Sequence, residues 1–259
     1  MADDHSMLTS APFGRVLTAM VTPFHDDGGL DLAGAAQLAD HLVAEGCDGL
    51  VISGTTGESP TTTDAEKEQV LRAVLDAVGD RATIVAGVGT YDTHHTVELA
   101  QQAEKAGAQG LLVVTPFYNK PPQEGLVRHF TAAADATGLP VMLYDIPGRS
   151  GVAITTETLV RLAEHERIVA VKDAKGDLFA SSEVMARTEL AYYSGDDALN
   201  LAHLAQGAVG MVSVVAHVAA AEYAAMTNAV QAGDLPEAIR LHRQLLPAVR
   251  AIMTRTQGA

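Results

Sequence analysis

The sequence predicts a (β/α)8 TIM barrel followed by a short C-terminal helical extension, and three observations predict it. Eight short apolar runs recur at intervals of about 20 to 35 residues. The stretches between them carry apolar residues at helical spacing, and several stop on a glycine. Near-continuous apolar strands alternating with helices imply a parallel sheet covered on its outer face, and eight such units point to closure. The alternative is a doubly wound open sheet. No glycine-rich dinucleotide fingerprint follows the first strand, which favours the barrel.

The elements follow in order. Residues 1–13 read as a flexible tail. Val16-Leu-Thr-Ala-Met-Val-Thr22 is strand-like and stops at Pro23. Asp31 can cap a helix to about Glu45, with Leu32, Ala35, Leu38, Leu42 and Val43 as its apolar stripe and Gly46 as its stop. Gly49-Leu-Val-Ile-Ser53 is the second strand. A helix from about Asp64 to Val78 ends at Gly79, and Ala82 to Val88 is the third strand. A helix from about Thr93 to Ala106 precedes the strand Gly110–Thr115, and one from Gln123 to Ala136 precedes Pro140–Tyr144. A helix near Thr155 to Glu164 leads into Ile168-Val-Ala-Val-Lys172. Leu190–Ser194 and Val209–Val214 complete the eight, each behind a helical stretch. The barrel thus occupies 14–232. A helix from about Ala216 to Gln231 closes it. Asp234-Leu-Pro-Glu237 then opens a last helix within 233–259 with a cap and an early proline.

Composition excludes several classes. Apolar residues make up 47% but aromatics only 4%, so the core is built from Ala, Val, Leu and Ile. A formal charge of −15 argues against a nucleic-acid partner. Cys47 is the sole cysteine, so no internal disulfide forms and a reducing compartment fits. The acidic start Met1-Ala-Asp-Asp-His-Ser6 has no apolar h-region, and no apolar run is long enough to span a membrane. A cytoplasmic protein with no membrane partner is expected.

In such a barrel the chemistry sits at the carboxyl ends of the strands. There stand Ser53-Gly-Thr-Thr-Gly-Glu58, Thr115-Pro-Phe-Tyr-Asn119, Tyr144-Asp-Ile-Pro-Gly-Arg-Ser150, Lys172 and Ser194-Gly-Asp-Asp197. No His/Asp/Glu cluster joins them, which argues against a metal hydrolase. Of five lysines, Lys67 and Lys105 fall on helices, Lys120 lies in a loop and Lys175 follows the sixth strand. Lys172 alone belongs to a barrel strand. It is either a solvated strand end or a nucleophile toward a carbonyl. At an ordinary pKa only about one lysine in a few thousand is neutral at pH 7, so the second reading requires burial to lower it. Gly54-Thr55-Thr56-Gly57 could hold a small anion on its backbone N–H groups, or be an ordinary turn; no Gly-Lys-Ser/Thr makes it a P-loop. Arg149 could grip a carboxylate or lie exposed. Tyr144 and Tyr118 could each carry a proton or simply pack. His94-His95 reads as a solvated helix start, His203 and His217 as core histidines, and Asp196-Asp197 as acids at a helix start.

Gly54-Thr-Thr-Gly-Glu58, Tyr144-Asp-Ile-Pro-Gly-Arg-Ser150 and Val171-Lys-Asp-Ala174 resemble the signatures of the pyruvate-dependent class I aldolases, and most closely their dihydrodipicolinate synthase family. The likeness runs from about Val16 to Met253. Gly148-Arg149-Ser150 favours that family, because sialic-acid lyases usually lack the arginine. The resemblance implies that Lys172 forms a Schiff base with pyruvate. It implies a proton relay of Thr56, Tyr144 and Tyr118, with Tyr118 reaching into a neighbouring subunit's site. Thr55 and Thr56, with the backbone at Gly195 and Val212, would hold the pyruvate carboxylate. Arg149 would receive aspartate 4-semialdehyde. No cofactor or metal is implied.

The resemblance also implies a homodimer at least, and allows a homotetramer. Members usually continue for some tens of residues beyond the point where this chain stops, so the tetramer contacts of that C-terminal domain are in question. Lysine-inhibited relatives carry two histidines, an asparagine, a glutamate and a tyrosine at an interface site, where this sequence holds Asp64, Lys67, Tyr91, His95 and Phe117. Weak or absent lysine inhibition is expected. The rival functions are another aldolase of the superfamily, acting on N-acetylneuraminate or a keto-sugar acid, and a non-catalytic barrel that binds a keto acid. Turnover of the two aldol partners separates the first, and pyruvate binding without turnover marks the second.

Overall fold

The fold is a closed barrel, and the computed structural model describes residues 10–255 of it. The strands are β1 (Val16–Ala19), β2 (Gly49–Ile52), β3 (Thr83–Gly87), β4 (Gly110–Val114), β5 (Val141–Asp145), β6 (Ile168–Asp173), β7 (Ala191–Ser194) and β8 (Gly210–Ser213). They pair in parallel in chain order, and β8 returns to β1 through Met211–Val16, Val212–Leu17 and Ser213–Thr18. Each strand is an apolar run because each is covered on both sides. Alternation sends Met142, Tyr144, Ala170 and Tyr193 into the barrel, and Val141, Leu143, Val171 and Tyr192 out toward the helices.

The helices are α1 (Leu32–Ala44), α2 (Asp64–Val78), α3 (Thr93–Ala106), α4 (Gln123–Asp135), α5 (Pro147–Ser150), α6 (Thr156–Leu162), α7 (Leu178–Arg187), α8 (Asn200–Ala205), α9 (Ala216–Gln231) and α10 (Leu235–Arg255). Their starts follow local chemistry. Asp31 caps α1 by accepting the Gly34 N–H at 2.8 Å. Thr63 and Glu66 form a reciprocal capping box on α2. Asp92 caps α3, so the following His94 is exposed helix rather than the cap itself. α9 bends at Ala219 (φ −150°), and α10 packs along it. Among the described residues no helix is long and apolar enough to cross a membrane.

Strand limits differ from the sequence expectation by about one residue, save that β1 stops at Ala19, three residues before Thr22, and two ends run long. β5 and β6 each run one residue further than the apolar pattern suggests, ending in Asp145 and Asp173, because the backbone ladder continues through these two residues and their side chains are buried. Phe13 belongs to the stretch read as a tail, whose residues 1–9 lie outside the described region. Phe13 itself is buried beneath the barrel. Its N–H donates to the Tyr193 hydroxyl at 3.2 Å, and the two rings lie 6.3 Å apart. Burying one such side chain contributes roughly 1.5–3 kcal/mol.

Candidate active site

The site grows from the end of β6. Ile168, Ala170 and Val171 are buried, and the strand carries that burial on to Lys172, which keeps only 5% of its surface exposed. Of the two readings, the solvated strand end therefore does not hold. The Lys172 stem reaches the barrel mouth past Gly195, where a Cβ would stand 2.9 Å from Lys172 Cγ and 3.1 Å from its Cε. Any larger residue at 195 would displace the lysine. Lys172 Nζ comes to rest over the Tyr144 ring, 4.1 Å from its centroid. Burial lowers the Lys172 pKa to about 8, with Asp197 opposing the fall and Arg149 adding to it. An amine near this value is neutral roughly one part in ten at pH 7, several hundred times more often than an ordinary lysine.

Tyr144 is placed by β5, directly beside Lys172 in the register. Burial pushes its phenol up to about 12; Arg149 and a hydrogen bond with Thr55 pull it back, and Asp196 adds slightly to the rise. Tyr144 therefore stays protonated throughout the physiological range. Thr55, the neighbour of the threonine that the sequence reading gives to the relay, is a hydroxyl partner of this tyrosine. Thr56 is buried alongside it on the β2 turn. The turn is unusual in backbone as well: Ser53 and Glu58 both have φ of 56°. Arg149 sits on α5, exposed, close enough for its charge to bear on both Tyr144 and Lys172. Thr55, Tyr144 and Arg149 line a cleft of about 500 Å³ that also reaches Lys67, His95 and Phe117. Lys172 meets this cleft through Tyr144, whose ring lines it and lies against the lysine Nζ.

At β7 and β8 the structure shows something the sequence reading passed over. Asp197 does not serve a helix start; α8 begins at Asn200. Its carboxylate turns inward, buried, and accepts from Asn200 Nδ2 at 3.0 Å, from the Ser213 hydroxyl, and from the N–H groups of Val214 at 2.9 Å and Val215 at 3.1 Å. One side chain thus ties the β7 loop to the end of β8, beside the buried Val212. The signal available in sequence was an acid just after the Gly195 turn. Gly195 donates its own N–H to Asp173 O at 2.7 Å, so its main offering to the mouth is room for the lysine stem.

Other predicted residues fall elsewhere. Tyr118 leaves the mouth entirely: it is 90% exposed on the loop after β4, with φ of 72°. A left-handed backbone at a tyrosine is strained. The base of the loop is held by Asn119 Nδ2 donating to Tyr91 O at 3.2 Å and by the edge-on Tyr91–Phe117 contact. Lys175 is turned away from the mouth and pairs with Asp145 at 3.3 Å. His217 is satisfied, receiving the Val21 N–H at 3.2 Å on Nε2. His95 pairs with Asp64 at 2.9 Å across the cleft annex.

Comparison with known proteins completes the picture. The Dihydrodipicolinate synthetase family matches residues 12–258. A 4-hydroxy-tetrahydrodipicolinate synthase of Kineococcus radiotolerans is 73% identical over 247 residues, which cover 95% of this chain and 80% of that protein. The crystal structure of the dihydrodipicolinate synthase of Cyanidioschyzon merolae with lysine bound is 41% identical, with a TM-score of 0.93 over 95% of this chain and 85% of that one. That of the Acinetobacter baumannii enzyme complexed with pyruvate is 35% identical, with a TM-score of 0.91 over 94% and 84%.

Proposed function

The chain belongs to the dihydrodipicolinate synthetase family, and from that membership we propose how its residues carry out the reaction. It is an enzyme, a lyase of the Schiff-base aldolase type, that joins pyruvate to L-aspartate 4-semialdehyde in the route to diaminopimelate and lysine. One observation carries the mechanism: a single buried lysine, depressed to about 8, lies against the ring of a tyrosine that stays protonated.

The Lys172 amine adds to the pyruvate ketone and water leaves, giving a protonated imine. The imine withdraws electrons from the adjoining methyl, which loses a proton to become an enamine. The enamine carbon then attacks the aldehyde, and the second substrate's own amine adds to the imine carbon, closing the ring and displacing the Lys172 amine. Tyr144 and Thr55 move the protons, and the backbone of the Thr55-Thr56 turn holds the pyruvate carboxylate. We thus give the relay to Thr55 and leave Thr56 with carboxylate binding. Tyr118, held outward by its strained turn, would complete the relay of a second subunit, which makes a homodimer the smallest complete assembly. A cytoplasmic setting keeps the buried Cys47 reduced.

Borohydride reduction in the presence of pyruvate, followed by peptide mass mapping, tests this reading. The expected result is a pyruvate-derived adduct on Lys172. An adduct on Lys175, or none, refutes the assignment.

Arg149 is the cation at the cleft rim suited to the second substrate's carboxylate. Replacing it with methionine is expected to raise KM for the aldehyde about 10- to 100-fold, the loss of one charge-assisted hydrogen-bonded pair. Adduct formation with pyruvate should change little. Steady-state kinetics against each substrate would decide; an equal effect on both would argue against the role.

Lysine inhibition is expected to be weak or absent. The cleft annex presents the Lys67 ammonium, already 3.6 Å from Asp64, to any cationic ligand, and like charges brought together oppose binding. Titrating millimolar lysine into the assay checks it, and strong inhibition would contradict it.

A further inference from the structure

Tyr144 and Lys172 are each followed by a carboxylate that points the opposite way. In the β5–β6 register Tyr144 is level with Lys172, and Asp145 with Asp173. Since Tyr144 faces the barrel interior, the next residue on each strand faces the helical layer. Asp145 and Asp173 are 0% and 1% exposed. Two buried carboxylates side by side need a counter-charge.

Lys175 supplies it. Its Nζ lies 3.3 Å from Asp145 Oδ2 and donates to Ile154 O at 3.3 Å. Asp173 aims it: Asp173 Oδ1 accepts the N–H of Lys175 at 2.9 Å and that of Gly176 at 3.3 Å, which turns the chain back toward β5. Asp145 Oδ1 in turn accepts the Ile154 N–H at 3.1 Å. Tyr192 of β7 and His203 of α8 lie within range of the Asp173 charge. Burial holds His203 below its ordinary range, so it adds no positive charge. Burial also pushes the Asp145 carboxyl up to about 6, Lys175 pulls it back, and Asp173 pushes it further up.

We infer that Lys175 is a positioning residue: its pairing with Asp145, on a turn fixed by Asp173, locks the carboxyl ends of β5 and β6 side by side and so sets Tyr144 against Lys172. The inference rests on the proposed roles of those two residues. The action is through the strands. The charges that bear on Lys172 itself are those of Asp197 and Arg149.

The test is a double-mutant cycle of Lys175→Met and Asp145→Asn in the full chain. The kcat is expressed per active site, and the sites are counted by the borohydride-fixed pyruvate adduct on Lys172. Each single variant is expected to lose roughly tenfold or more in kcat per counted site, as small misplacements of reacting groups do. KM for pyruvate should change little, and the double variant should be no worse than the weaker single. Asp145→Asn leaves one carboxylate beside one ammonium, so it remains a usable test where Lys175→Met fails to fold. Unchanged kcat per counted site in Asp145→Asn overturns the inference, as do losses that multiply in the double variant. A purely structural lysine would reduce the number of sites that can be counted and leave each as fast as before. Absence of the adduct from the unsubstituted protein would instead refute the reading of Lys172.

Discussion

Replacing Lys172 with methionine is expected to abolish turnover and, in the same protein, to raise stability. The loss follows from the nucleophile: without the amine no imine forms, and removal of a covalent catalytic group costs on the order of 10³-fold or more. The gain follows from burial. The folded protein holds Lys172 near 8 against an ordinary 10.5, so between those values the unfolded chain binds the proton more readily. Stability of the native enzyme therefore rises as pH climbs from about 8 to 10.5, and below 8 the full penalty of the buried ammonium is present. Methionine removes it. The difference of about 2.5 units is on the order of 3 kcal/mol at neutral pH, which should fade toward pH 10.5. Thermal unfolding of both proteins at pH 7 and pH 10 measures it. A variant that is no more stable at pH 7 would refute the desolvation argument, and one that keeps turnover would refute the nucleophile. The rate of pyruvate adduct formation on the unsubstituted protein should likewise climb with pH toward a plateau above about 8.

Tyr144→Phe is the second large effect. The variant keeps the ring on which Lys172 rests and removes only the hydroxyl that Thr55 holds. Pyruvate should still be trapped on Lys172, while condensation slows by about 10²- to 10⁴-fold, the usual worth of a positioned proton carrier. Trapping and turnover measured side by side separate the two steps. Turnover close to that of the unsubstituted protein would remove Tyr144 from the relay.

Much of this was legible in the sequence, for physical reasons that can be named. The strands show as unbroken apolar runs because barrel strands are covered on both faces, and the helix limits show where Asp31, Gly46, Gly79 and Gly107 stand. Lys172 could be singled out because the other lysines fall on helices or loops. What stayed hidden depends on side-chain direction and through-space pairing. Asp145 and Asp173 look like residues that have left the sheet, and only register reveals them as a buried pair. Asp197 looks like a helix-start acid until its carboxylate is seen bound to the backbone of Val214 and Val215. Thr55 and Thr56 are indistinguishable as letters, and only the fold of the turn shows Thr55 at the Tyr144 hydroxyl with Thr56 buried beside it. The short α5 and α8 carry too few residues to show a period.

Phe13 bears on the side from which molecules approach the lysine. Its ring fills the amino end of the barrel so tightly that a Cβ at Gly110 would come within 2.3 Å of it. The cleft that leads to the lysine opens at the carboxyl ends of the strands. Lys172 lies against the ring of Tyr144, which lines that cleft, and Arg149, the cation proposed for the second reactant, lines it too. On the roles proposed for Lys172 and Arg149, pyruvate forms its imine before the aldehyde binds, and the product leaves by the same cleft. Phe13 meets neither reactant; with Leu17, Met142 and Tyr193 it packs the interior that makes the carboxyl end the side of approach.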